Sequence, residues 1–414
     1  MSPAGTSPGA SDVERTFREA YGSAVATLVR IFGDITVAED AVQDAFEIAS
    51  KKWPADGIPP NPTGWIITTA RNRAIDHVRR ENRGRELLDE VAYTEMQAGS
   101  ETLGSAQEMN DDQLSLIFTC CHPALAQEHQ IALTLRLVGG LHVDEVADVF
   151  LISEAAMTKR LVRAKYKIKS AGVPYQVPTE DELPARLQSV LTVLYLIYTA
   201  GLKDLERSAL TKDCLRLARS LRTLMPDEPE VSGLVALILL SEARSPARRT
   251  GTGQRVLLRD QDRDLWDDSL IDEGQAIVRS CIARNDPGPF QLQAAIQAVH
   301  DDAASFDDTD WVQIVSIYDH LYALQPTPVV ALNRAIAISE ADGPLVALAS
   351  LDELADALDA YHPYHAARAT VLARLERLED AEAAYLRAED LAATAEDRSS
   401  IAQEREALGV DRQS

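Results

Sequence analysis

Almost every long stretch of this sequence spaces its apolar residues three or four apart, and no other feature limits the fold as much. Phe17, Tyr21, Val25, Leu28 and Phe32 recur at that interval, which places them on one face of an α-helix. "GD" at 33–34 breaks the run, and "TVAEDAVQDAFEIASKKW" restarts it. Thr36 stands in its N-cap position and Glu39 three residues on, the pattern of a capping box. The loop "PADGIPPNPTG" is rich in Pro and Gly. Asn61 then caps a helix whose first residue is Pro62. Residues 84–107 are polar and acidic without periodicity. From about 180 onward the spacing predicts helices at 183–201, 208–224, 229–243, 264–284, 290–300 and 309–324, then pairs to the end. "RRTGTGQRVLLRDQDRD" interrupts them as a polar loop or small hairpin. In the next acidic stretch, "DDAASFDDTDW", Thr309 or Asp308 caps the helix that holds Trp311. Ala and Leu are abundant and aromatics make up 5% of the chain, which favours helix. The expected fold class is all-α.

Two apolar runs, "VLTVLYLIYTAGL" and "GLVALILL", fall short of the roughly 20 residues of a membrane span. They read as buried helices, and no membrane partner is expected. The first twelve residues are small and polar, unlike a signal peptide. Four Cys in 414 residues do not make a disulfide framework. They fit reduced thiols in a cytoplasmic protein.

Near the C-terminus Arg334, Ala335, Ala347 and Leu351 recur as Arg368, Ala369, Ala381 and Tyr385, each 34 residues on. That is the period of tetratricopeptide helix pairs.

The charge is spread unevenly. The formal net charge is −24, of which residues 1–173 carry −6 and residues 174–414 carry −18. Residues 71–85 hold six Arg, whereas residues 86–150 hold Arg136 alone against twelve acids. A second basic island, "SEAAMTKRLVRAKYKIKS", carries six Lys or Arg and one acid. Local basic patches, more than net charge, mark phosphate binding.

That second island opens after "HVDEVADVF", a short helix, and "LIS", a tight turn, with Ser153 as N-cap. Helix, turn and basic helix form a helix-turn-helix pattern. Met157, Leu161, Ala164 and Ile168 share one face and pack inward. Lys159, Arg163 and Lys167 form a second stripe, with Thr158 and Arg160 near the helix start. Such a helix is either a solvated basic face or a reader of DNA, and the preceding helix and turn favour DNA. In the first island Trp65, Thr69, Asn72, Asp76, Arg79 and Arg83 line one stripe, and Ile67, Ala70, Ala74 and Val78 another. An aromatic, an amide and several Arg suit partly unpaired DNA. The alternative is a core Trp beside solvated Arg.

Other constellations carry less. Cys120, Cys121 and His122 are adjacent, but no second ligand pair lies at a zinc spacing, so core packing is expected. His362 and His365 read as core or helix-end residues, and "GTG" at 251–253 is too short for a nucleotide loop. Acids near Asp301–Trp311 suit helix starts. No metal, cofactor or catalytic residue is expected, and the chain is not expected to be an enzyme.

"AEDAVQDAFEIASKKW", "PTGWIITTARNRAIDHVRRENR" and "GLHVDEVADVFLISEAAMTKRLVRAKYKI" together resemble an extracytoplasmic-function sigma factor of bacterial RNA polymerase. The first two are similar to sigma region 2 and the last to region 4. "LMPDEPEVSGLVALILLSEAR", "DQDRDLWDDSLIDEG", "GPFQLQAAIQAVH" and "TPVVALNRAIAI" resemble the subgroup with a long tetratricopeptide-like C-terminal extension. The resemblance implies that Asp40, Gln43, Asp44 and Phe46 dock on the β′ clamp helices of the core polymerase. It implies that Asn72, with Arg71, Arg73, Asp76, Arg79 and Arg80, serves the −10 element beside Trp65 and Arg83. The loop Pro54–Pro62 takes the place of the specificity loop. It further implies that Ser153, Thr158, Lys159, Arg160, Arg163 and Lys167 lie on the helix that reads the −35 element, and that region 4 also touches the β flap. Ala156 and Met157 stand where a Thr-Val pair is frequent.

The expected layout is a disordered start (1–10), region 2 (11–85), an acidic linker (86–109), region 4 (110–172), a helical extension (180–325) and tetratricopeptide-like pairs (326–414). The expected function is promoter-specific initiation with core RNA polymerase and promoter DNA as partners. The C-terminal domain regulates it in cis, with a regulatory protein or peptide as a further partner. The alternative is a helix-turn-helix activator with a tetratricopeptide-like sensor domain.

Overall fold

The computed structural model describes residues 10–81, 106–150, 152–203, 208–251 and 254–411. Residues 1–9, most of the acidic linker and Arg83 lie outside them. Among the described residues every named element is helical. An isolated antiparallel β-bridge joins Arg249 to Arg255, where a small hairpin is expected.

The chain divides into two compact units, Met1–Met225 and Pro226–Ser414. Unit 1 begins with α1 (Ala10–Phe32), α2 (Ile35–Asp56) and α3 (Pro62–Glu81), which pack on one another. Next come α4 (Ala106–Cys120), α5 (Gln127–Leu133), a π-turn (Thr134–Val138), α6 (Val143–Val149) and α7 (Glu154–Ser170). α8 (Leu183–Lys203) and α9 (Ser208–Leu224) complete it. The core runs through Tyr21, Val25 and Leu28 of α1, Val42 and Trp53 of α2, and Phe118 of α4, all buried. α8 and α9 belong to this unit by direct contact. Arg186 Nη2 donates to the Phe118 carbonyl at 2.7 Å, and Arg216 Nη2 to that of Gly139 at 2.7 Å.

Three local expectations are corrected. α2 is capped by Asp34, whose Oδ1 accepts from Thr36 N at 2.8 Å and Val37 N at 3.4 Å. Thr36 is therefore inside the helix and Glu39 is free for another task. α2 also runs through Pro54 to Asp56 and stops at Gly57, whose φ is 84°. That positive φ favours Gly, and it shortens the following loop. Third, Leu183–Leu202 is long and apolar enough to cross a membrane by composition. Its Leu187, Val190, Leu191, Leu194, Ile197 and Tyr198 are nonetheless buried in unit 1.

Unit 2 opens with α10 (Pro229–Ala243), apolar all round and buried along nearly its whole length, as such a helix must be. α11 (Asp268–Arg284) and α12 (Pro289–Asp302) pack on it. Glu230 ties α10 to the start of α12. Its carboxylate accepts from Phe290 N at 3.0 Å, Gln291 N at 3.1 Å and Gln291 Nε2 at 3.2 Å. A Cβ at Gly233 would meet Gln291 N at 2.6 Å, so only Gly permits that approach.

α13 (Trp311–Leu324) follows, capped by Asp310 in place of the expected Thr309 or Asp308. Then come α14 (Pro328–Ala341), α15 (Pro344–Asp352), a turn α16 (Ala355–Leu358), α17 (His362–Arg374), α18 (Leu378–Leu391) and α19 (Ala395–Asp411). The 34-residue period holds in three dimensions. Ala335, Ala369, Ala347, Ala381 and Leu351 are fully buried, and Tyr385 nearly so. Arg334 pairs with Asp319 at 2.5 Å, and its counterpart Arg368 with Asp352 at 3.0 Å. Small residues at the crossings let the helix pairs approach closely, and the paired charges stay on the rim.

Candidate nucleic-acid and polymerase interface

α7 is built as its sequence requires. Ser153 Oγ accepts from Ala156 N at 3.3 Å and caps the helix. Met157, Leu161, Ala164 and Ile168 are all buried and anchor it to the unit. Before it, Glu145 closes a capping box on α6 by accepting from His142 N at 2.8 Å. Thr158, Lys159, Arg163 and Lys167 are exposed, as is Ser153. Thr158 Oγ1 donates to the Glu154 carbonyl at 2.9 Å and Arg163 Nε to that of Lys159 at 3.3 Å. Both bonds keep these side chains along the helix surface. Arg160 differs, because its guanidinium lies 4.8 Å over the Phe150 ring and 3.2 Å from Glu128. It is held back on the protein by an aromatic face and an acid.

α3 starts at Asn61, whose Oδ1 accepts from Gly64 N at 3.0 Å. Ile66, Ile67, Ala70 and Ala74 are buried. Asn72, Arg73 and Asp76 are exposed and Arg71 is half-buried. Arg79 and Arg80 fall within the helix, in its last turn. Trp65 is half-buried with its ring edge-on to Trp53 at 5.5 Å. The sequence alternatives for Trp65 thus meet, since it packs on Trp53 yet stays partly exposed.

On α2, Asp40, Gln43 and Asp44 are exposed on neighbouring turns. Partial shielding from water and the adjacent Glu39 charge hold the Asp40 carboxyl above its ordinary range. Phe46 is buried, 4.5 Å edge-on to Phe17 and 6.1 Å from Tyr21. Its ring serves the core in this conformation.

Sequence reasoning missed a buried ion triad of the unit. Glu39 is buried, with Oε1 2.6 Å from Arg136 Nε in the π-turn and Oε2 2.8 Å from Lys165 Nζ on α7. Burial alone would raise its pKa, but Lys165 and Arg136 outweigh burial and hold it below the usual carboxylate range. Arg136 also donates to the Leu141 carbonyl at 2.7 Å and lies over the Tyr21 ring at 5.2 Å. Lys169 of α7 reaches Asp34 at 3.1 Å. A signal existed: Arg136 is the lone cation in the apolar run "IALTLRLVGG", and a buried Arg requires a partner. Cys120 and Cys121 are buried as expected, with Cys121 Sγ 3.4 Å from Thr134 Oγ1. No group of metal-binding side chains occurs among the described residues.

Comparison with known proteins bears on this arrangement. Residues 17–84 match Sigma-70 region 2. Residues 186–282 match a family of unknown function, DUF6596. An uncharacterized protein of Rhizobium meliloti (strain 1021), R00370, is 39% identical over 380 residues, 90% of each chain. A probable ECF RNA polymerase sigma factor, SigI, of Mycobacterium tuberculosis is 26% identical over 161 residues, 38% of this chain and 54% of that one. The crystal structure of the P58(IPK) TPR domain aligns over 97% of this chain and 99% of that one at 11% identity. Its TM-score of 0.26 is too low to bear on the fold.

Proposed function

This chain belongs to one family with the Rhizobium meliloti protein R00370 and carries a sigma-70 region 2 domain, and from that premise we propose that it is an extracytoplasmic-function sigma factor. It binds core RNA polymerase and directs initiation at promoters with −35 and −10 elements. The observation that carries the reading is the pairing, within unit 1, of a region 2 domain with a capped helix-turn-helix whose second helix exposes Thr158, Lys159, Arg163 and Lys167.

In this reading α7 enters the major groove of duplex −35 DNA. Arg163, or Arg160 once freed from Glu128 and Phe150, forks onto guanine O6 and N7, while Lys159 and Lys167 hold phosphates. α3 takes the −10 strand. Trp65 offers its partly exposed ring, Asn72 hydrogen-bonds an exposed base beside Asp76, and Arg71, Arg73, Arg79, Arg80 and Arg83 follow the backbone. Opening DNA costs roughly 1–2 kcal/mol per stacking step, and strand capture by α3 offsets part of that cost. Asp40, Gln43 and Asp44 form the face toward the β′ clamp helices. Phe46 supports that face from beneath, and region 4 meets the β flap. The polymerase performs the chemistry, so the chain itself acts without a catalytic residue, in the cytoplasm where polymerase and promoter are.

Unit 2 regulates this activity in cis. It holds 16 Lys and Arg against 35 Asp and Glu, net −19, whereas unit 1 is net −5. Its polyanionic surface competes with DNA for the basic helices, and its helix pairs offer a site for a regulatory protein or peptide. Because α8 and α9 pack into unit 1, the cut that isolates the regulator falls after Met225. Truncation there raises transcription if unit 2 masks α7; lost transcription rejects the masking role.

Run-off transcription with purified core polymerase tests the whole reading. Promoter-specific transcripts are expected when this protein is the sole sigma factor added. Transcripts that appear only with a second sigma factor present would make it an activator instead.

A further inference from the structure

Unit 2 holds a cavity of about 490 Å³, and one wall of it is the helical repeat itself. Asn333, Ile336 and Ala337 of α14 line it. So do Ala367, Thr370 and Val371 of α17, the same three positions 34 residues on. Two other segments bound the space. The turn at Leu258–Asp260 supplies Arg259, and α19 supplies Ser400 and Glu404. The polar loop before α11 is tied to α19 by Arg249 with Glu396 at 2.5 Å and by Arg255 with Asp397 at 3.8 Å. Loop and helix thus occupy two sides of the inner face and leave a volume of small-molecule size.

The lining is divided in chemistry. One part is apolar. The Trp311 ring stands edge-on to His300 at 5.2 Å and against Phe306 at 5.1 Å. Ile336 beside them is 39% exposed. The other part carries two opposite charges that are poorly matched within the chain. Arg259 makes no hydrogen bond or ion pair among the described residues. Other charges of the lining are engaged, Arg255 with Asp397 and Glu340 with Arg374 at 2.6 Å. Glu404 accepts one long bond, from Tyr385 Oη at 3.5 Å. Burial holds its carboxyl above the usual range against the pull of Arg259 and Arg255. Arg259 and Glu404 are therefore neighbours that form no ion pair.

A neighbouring acid and base beside an apolar wall fit a ligand with a carboxylate and an ammonium on one carbon and an apolar side chain. A plain carboxylate would reach Arg259 but face the like charge of Glu404. A plain amine would reach Glu404 but face Arg259. A zwitterion satisfies both, and a long peptide cannot, because its charged ends lie far apart.

We propose that this cavity binds a free α-amino acid with an apolar side chain, its carboxylate on Arg259, its ammonium on Glu404 and its side chain against Trp311 and Ile336. The site stands on unit 2 alone and does not depend on the function given to unit 1. Arg259 lies early in unit 2 and Glu404 in its last helix, so the ligand joins the two. Under the regulatory role proposed for unit 2, occupancy is the signal.

The test is calorimetric titration of the full chain with L-phenylalanine and L-leucine. Each is compared with its analogues lacking the ammonium or the carboxylate: hydrocinnamate and phenethylamine for the first, isocaproate and isopentylamine for the second. At least one amino acid is expected to bind about tenfold or more tighter than both its analogues, as loss of a charge-assisted bond implies. In Arg259→Gln its advantage over the amine should vanish. In Glu404→Gln, which keeps an acceptor for Tyr385, its advantage over the acid should vanish. Each variant loses one preference and keeps the other, which guards against a mere folding defect. Fluorine NMR of the fluorotryptophan-labelled chain locates the site. Trp311→Phe assigns the Trp311 signal, which the amino acid should shift while those of Trp53 and Trp65 stay in place.

The site is overturned by absence of binding for both amino acids, by an analogue that binds as tightly as its parent, by variants that keep both preferences, or by binding that leaves the Trp311 signal unmoved. Polymerase and DNA are absent throughout. A failed run-off assay therefore rejects the sigma reading and leaves the amino-acid site in place.

Discussion

The ion triad of unit 1 and the rim pairs of the unit 2 repeat differ in kind. In unit 1, Glu39, Arg136 and Lys165 meet with side chains 8%, 3% and 15% exposed, across 97 and 126 residues of sequence. In unit 2, Arg334 with Asp319 and Arg368 with Asp352 join successive helices of the repeat, with side chains 28–56% exposed. The first kind cannot lose one partner without leaving a charge stranded in the interior. The second kind can, because water replaces the partner. Repeats built on the second kind tolerate drift, whereas a unit built on the first is committed to one arrangement of its modules or to opening.

The largest expected effect tests that commitment. Arg136→Ala leaves Glu39 short of a buried partner and should cost roughly 3–5 kcal/mol of unit 1 stability, read as a lowered urea midpoint. A loss below about 1 kcal/mol would place the triad with the surface pairs.

pH separates the units next, with opposite signs. Glu39 has a folded pKa below its unfolded value. Its contribution is therefore present above the unfolded pKa and lost as pH falls through the lowered folded value. Asp301 of unit 2 is the reverse. Its side chain is fully buried 3.8 Å from Arg244, and burial pushes it from 3.8 up to about 7 against the pull of Arg244 and Arg263. Its protonated form suits the fold, so stability is highest below the unfolded pKa and falls as pH rises from about 4 to about 7. Asp301→Asn should match the parent near pH 4 and exceed it near pH 8 by on the order of a few kcal/mol, measured by thermal melts across pH. Equal melts at pH 8 would show that Arg244 and Arg263 fully compensate the burial.

A smaller effect distinguishes the exposed stripe of α7 from the flank whose Lys165 and Lys169 pair with Glu39 and Asp34. Arg163→Ala should weaken promoter binding by about 1–3 kcal/mol if it reads a base, or lower the salt slope by about 1 if it holds a phosphate. Binding to core polymerase should change little. An equal loss of both would contradict the role given to α7. The smallest effect belongs to the repeat rim, where Arg368→Ala should shift stability by about 0–1 kcal/mol in a denaturation midpoint.

Much of this was legible in one dimension. The inward face Met157, Leu161, Ala164 and Ile168, the Ser153 cap and the Asn61 cap each depend on residues within a few turns, and all three are as the spacing requires. Region 2 is legible too, and its match at residues 17–84 agrees with the motifs quoted from α2 and α3. Caps were the weaker part. Asp34 outcompeted Thr36, and Asp310 outcompeted Thr309, because several capping residues stood side by side and only backbone geometry selects among them. Arg160 and Phe46 show another limit. Both lie on elements identified correctly, yet Phe150 with Glu128 and Phe17 with Tyr21 engage them from outside their own helices.

The sequence by itself determined an all-helical chain, its helix faces, its 34-residue repeat and its two basic islands, because a 3.6-residue period and a cap are local properties that a few neighbours define. Tertiary structure alone decided what Glu39 does. By spacing it is a capping-box acid. In the folded unit it is the buried anion that joins α2 to Arg136 and Lys165. Which remote cation meets a carboxylate depends on how helices cross, and on the cost of leaving a charge unpaired away from water. No period along the chain encodes either.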